Sequence, residues 1–64
     1  MGSQVGWRIV LDLTPFCIDC APDIEEARRL WGAAPDDETV MVSELRQPLA
    51  RQRRLSCDNC GKRL

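Results

Sequence analysis

Apolar and polar residues alternate along positions 5–13. Val5, Trp7, Ile9, Leu11 and Leu13 fall on one face, and Gly6, Arg8, Val10 and Asp12 on the other. A period of two with β-branched and aromatic content predicts a strand, which Thr14-Pro15 should end. The period changes at residue 24. Ile24, Ala27, Leu30 and Trp31 recur at helical spacing and predict a short helix over 24–31. Asp23 stands at its N-cap, and Glu26, three residues on, completes a capping box. Glu25 is placed to pair with Arg28 or Arg29. Gly32 is the expected stop. A helix of about two turns is not stable alone in water and must dock on the rest of the chain.

Residues 33–37 read as a loop. Thr39–Leu45 reads as a second strand, carried by Val40, Met41 and Val42, and the tract 46–49 as a turn. Ala50–Ser56 is then expected as a third strand, antiparallel to the second. The helix formers in 49–55 keep a helix open as the alternative there, since Pro48 can begin one as readily as a turn.

The chain has 64 residues, one Phe, two Trp and no Tyr. That length supports one domain, 1–64, with a thin core. Scaffolds of this size usually need a disulfide, a metal or a partner. Four cysteines supply the means. They form two Cys-x-x-Cys pairs, Cys17/Cys20 and Cys57/Cys60, and no histidine is present. Four thiolates so spaced are the ligand set of one closed tetrahedral metal site. Disulfides are the rival use. No secretory signal or long apolar stretch is visible, so neither export nor a membrane span is expected. A reducing cytoplasm fits best, and there such pairs serve metal or redox chemistry more often than structural disulfides.

The segment Cys57-Asp58-Asn59-Cys60-Gly61 resembles the zinc knuckle of zinc-ribbon and rubredoxin-like domains. Their pattern is Cys-x-x-Cys-Gly, often with Pro after the first cysteine. Cys57, Cys60 and Gly61 match, and Asp58 replaces the proline. The first loop matches only at Cys17 and Cys20, because Ala21 stands where Gly is common. The resemblance implies a small metal-stabilised α+β domain, zinc-ribbon-like. Its three-stranded antiparallel sheet would hold one metal ion at Cys17, Cys20, Cys57 and Cys60, with one short helix in the insert between the pairs. Zinc is the expected ion. Iron is the alternative, since the ligand set also resembles that of rubredoxins, which carry electrons. Those domains typically have Gly after both pairs and a dense aromatic core, and this chain has one such Gly and few aromatics.

Catalysis has little foothold. Four cysteines close the coordination sphere, no histidine can act as a base, and Asp36, Asp37 and Glu38 are consecutive acids in a loop. The chain is therefore read as no enzyme, and no small-molecule substrate is expected.

Charge is divided along the chain. Residues 1–44 carry Arg8, Arg28 and Arg29 against nine acids, whereas residues 45–64 carry Arg46, Arg51, Arg53, Arg54, Lys62 and Arg63 against Asp58 alone. As a strand, 50–56 would place Arg51 and Arg53 on one face and Arg54 on the other. As a helix it would make Arg51 and Arg54 neighbours, with Arg53 aside. These six bases form the candidate binding surface. The bland reading is a solvated edge whose charge resists aggregation. The functional expectation is a zinc-stabilised interaction module for a protein partner, such as an accessory or viral regulator of a transcription or replication machine. The alternatives are a nucleic-acid-binding ribbon that uses the C-terminal arginines, or a rubredoxin-like electron carrier.

Overall fold

A computed structural model describes residues 2–64. In chain order the elements are β1 (Gln4–Ile9), β2 (Thr14–Cys17), α1 (Ile24–Trp31), β3 (Val42–Arg46) and α2 (Gln47–Gln52). The strands form one antiparallel sheet in the order β2-β1-β3. The fold is thus a small α+β domain with three antiparallel strands and short helices.

The alternating stretch 5–13 is not one strand. It breaks after Ile9 and returns as a hairpin in which Ile9 faces Thr14 and Gly6 faces Cys17. Asp12 drives the break. Its carboxylate accepts from the Thr14 amide at 3.1 Å and the Thr14 hydroxyl at 2.6 Å, and from the Trp31 indole at 3.2 Å. Those bonds, led by the Thr14 hydroxyl and then the indole, hold the Asp12 pKa below its ordinary value. Leu13 takes the left-handed conformation, φ 62°, that reverses the chain. Pro15 is tolerated because β2 is an edge strand.

Trp7, Ile9, Phe16 and Val42 share one face of the sheet through the pairs Trp7–Phe16 and Ile9–Val42. There they meet Ala27, Leu30 and Trp31 of α1 and Val40 of the loop. The helix occupies the expected residues. Asp23 caps it by accepting from the Glu26 amide, and Gly32, φ 98°, ends it. Glu26 rather than Glu25 pairs with the arginines, at 3.7 Å from Arg29. Arg28 instead donates to the carbonyls of Val40 and Pro35, which ties the following loop to the helix.

The second strand begins three residues late. Asp37 accepts from Thr39 and turns the chain there, so Val40 enters the core from a loop and Met41 stays exposed.

The expected strand over Ala50–Ser56 is absent, and helix α2 takes its place. Pro48 sits in the first turn, where its missing N–H costs nothing. Ala50 is buried, and so is Leu45, on the sheet face opposite α1. The helix ends with Arg54 in the left-handed region, φ 53°. The amides of Arg54 and Leu55 return to the carbonyls of Arg51 and Ala50, which is the Schellman pattern. Only Ser56 keeps a strand-like pairing, with Arg63. The third strand of the sheet is therefore Thr14–Cys17, which leads straight into the first cysteine loop.

Candidate metal centre

Cys17 is the last residue of β2. The amides of Cys20 and Ala21 both bond to its carbonyl, at 3.2 and 2.9 Å, and fold the first loop into a tight turn. Ala21 needs no glycine-like backbone here. It does not take a positive φ and is fully buried in the core. In the second loop the Gly61 amide bonds to the Cys57 carbonyl at 2.8 Å, and Gly61 takes φ 78°, which a Cβ would disfavour. The Cys57 amide bonds to the Lys62 carbonyl, and Ser56 pairs with Arg63, so this knuckle closes a small hairpin.

Two contacts dock one loop against the other. The Asp58 amide donates to the Pro15 carbonyl at 2.9 Å. Lys62 Nζ donates to Asp19 at 3.0 Å. Gly6 lets β1 and β2 close up beneath Cys17, because a Cβ at that position would lie 1.9 Å from the Phe16 carbonyl oxygen and 2.9 Å from Cys17 Cα. Gly6 is a positioning residue that spacing did not single out, although a glycine inside a strand often marks close backbone approach.

The result is one cluster. The four sulfurs of Cys17, Cys20, Cys57 and Cys60 lie within 4.8 Å of one another, and Cys17 Sγ is 3.7 Å from Cys60 Sγ. A tetrahedron with metal–sulfur bonds of about 2.3 Å has edges of about 3.8 Å. No disulfide joins any of the four cysteines in this structure. Cys17 and Cys57 are buried, Cys20 is half-buried and Cys60 is exposed, so the cluster faces solvent on one side.

The thiols differ in acidity. Burial pushes Cys57 up, yet hydrogen bonds from the backbone at Cys17, Cys60 and Asn59 outweigh it and leave the thiol at about 6. At Cys20 the Asn59 side chain favours the thiolate, but Cys17 and Cys60, with burial and Cys57, prevail and raise it to about 12. A divalent cation supplies the charge that allows all four to ionise. Lys62 is the base that feels this cluster. Its pKa is raised first by its bond to Asp19, and also by the charge of Cys17 and Cys60.

The six bases of the C-terminal segment differ in their surroundings. Arg46 pairs with Glu44 at 2.8 Å and donates to the Gly2 carbonyl. Lys62 is held by Asp19. Arg51, Arg54 and Arg63 line a single cleft with Gln47 and Leu64. Arg53 is exposed and lies outside it. Among the described residues no helix is long and apolar enough to cross a membrane.

Fold and site together define a small α+β domain built around a four-cysteine cluster fit for a metal ion. No family model, curated protein or solved structure matches the chain.

Proposed function

We propose that this chain is a zinc-stabilised interaction module without enzymatic activity, and that its partner is a protein. The observation that carries the reading is the convergence of four sulfurs from two knuckles to within 4.8 Å. Four thiolates fill four tetrahedral positions and leave none for a catalytic water. Zinc is favoured over iron because Ala21 replaces the second glycine of rubredoxin-like sites and the aromatic content is low. The zinc-ribbon resemblance applies to the two loops. The helix-bearing insert between the two cysteine pairs is not part of the simplest ribbon.

A protein partner is favoured over nucleic acid because acidic side chains engage two of the six C-terminal bases. Nucleic-acid tracks need a continuous positive groove, and Glu44 and Asp19 neutralise the two bases, Arg46 and Lys62, that would extend one.

Elemental analysis of the purified chain tests the metal assignment. One zinc per chain is expected, with Cys57→Ser losing it. A red protein with one iron and a reversible one-electron couple would replace this reading with an electron carrier.

A further inference from the structure

We infer that the cleft between α2 and the end of the second knuckle hairpin binds an acidic peptide segment, through Arg51, Arg54 and Arg63. This rests on the interaction-module reading and names the partner's chemistry. The cleft has a volume of about 680 Å³, in the range of ligand-binding clefts. Its three guanidinium groups come from separate parts of the chain. Arg51 lies in the last turn of α2, Arg54 in the left-handed residue that ends it, and Arg63 beside Ser56 across the hairpin.

None of the three is in an ion pair among the described residues, whereas Arg46 and Lys62 both are. With its amide oxygen turned toward Arg51, Gln47 accepts from Nε and Nη2 at 3.2 and 3.0 Å and fixes that guanidinium at the cleft wall. Arg54 occupies a backbone conformation that glycine or asparagine would take more readily, and its side chain lines the cleft. Three unpaired guanidiniums around one concavity suit carboxylates, each able to accept a bidentate pair.

A peptide fits better than a polynucleotide. Among the described residues only Arg53 adds unpaired positive charge next to the cleft in the chain, and residues 1–44 are strongly acidic. The cleft is also tied to the metal centre. Arg63 is held by the pairing with Ser56, one residue before Cys57, and by the closure of Cys57 on Lys62. Removing the metal should therefore scatter Arg63 from Arg51 and Arg54 and abolish binding.

The test uses the zinc-loaded full chain and a fluorescein-labelled decapeptide of alternating Glu and Gly, with anisotropy as the readout at low salt. Binding is expected, weakened about tenfold or more by Arg51→Gln, Arg54→Gln or Arg63→Gln. Arg53→Gln, outside the cleft, should change it little, and a ten-nucleotide single strand should bind more weakly than the peptide. Zinc content and circular dichroism of each variant separate loss of the cleft from loss of the fold. Absence of peptide binding by intact zinc-loaded protein would overturn the cleft assignment and leave the zinc module standing. Tighter binding of the oligonucleotide, with Arg53→Gln as harmful as the others, would overturn it in favour of a nucleic-acid surface.

Discussion

Gly6 carries more of the metal centre than its size implies. With no side chain it lets the Phe16 carbonyl and Cys17 approach β1, and Cys17 is the residue that joins the sheet to the cysteine cluster. Gly6→Ala must push β2 outward or bend it. The expected cost is about 1–3 kcal/mol of stability, the range for overpacking a tight site, read as a lower melting temperature of the zinc-loaded protein. Zinc should also be lost to a weaker competing chelator. An unchanged melting temperature would mean that β2 yields freely and that Gly6 does not position Cys17. The four cysteines themselves were legible in the sequence, since their spacing depends on nothing else. Gly6 was not, because its role arises only once residues 14–17 fold back beside it. Ala21 stands where the knuckles that the loops resemble carry Gly, yet it suits this chain, since that position is buried and not left-handed.

At the scale of elements, α1 was legible and the first hairpin was not. The helix carries signals at both ends, Asp23 and Gly32, and both act as expected. The hairpin loop 10–13 contains no Gly, Asn or Pro, and Val10, Leu11 and Leu13 continue the apolar alternation straight through it. All three are exposed, so the alternation there does not report burial. The one turn signal is Asp12, whose bonds to Thr14 appear only when the chain reverses. Leu13 at φ 62° is strained for a branched side chain and is 47% exposed. Leu13→Asn should therefore stabilise the hairpin by about 1 kcal/mol, seen as a higher melting temperature. A fall would show that the Leu13 side chain contributes packing that its exposure conceals. The segment 50–56 was ambiguous for a different reason. Its composition suits a helix while its place before a knuckle suits a strand, and Pro48 with buried Ala50 settles it as α2. That outcome gathers Arg51 and Arg54 into one cleft and leaves Arg53 outside.

At the scale of the whole molecule, the core is too small to explain the fold. Its large, buried apolar side chains are Ile9, Phe16, Val40 and Leu45, and the rest of the buried hydrophobic set is alanine and cysteine. Two of those buried residues, Cys17 and Cys57, are themselves members of the metal cluster. The sheet, the first knuckle and the C-terminal hairpin therefore meet at the sulfurs as well as in the small apolar core. In small zinc domains the ion contributes about 10–16 kcal/mol of apparent binding energy, more than a core of this kind supplies. Metal binding is therefore expected to fold the chain. The most direct test is a dispersed NMR spectrum of the zinc-loaded protein recorded before and after one equivalent of a strong chelator. Collapse of the dispersion, with recovery on adding zinc back, is the predicted result. A cooperative, dispersed native spectrum that persists in the metal-free protein would contradict it.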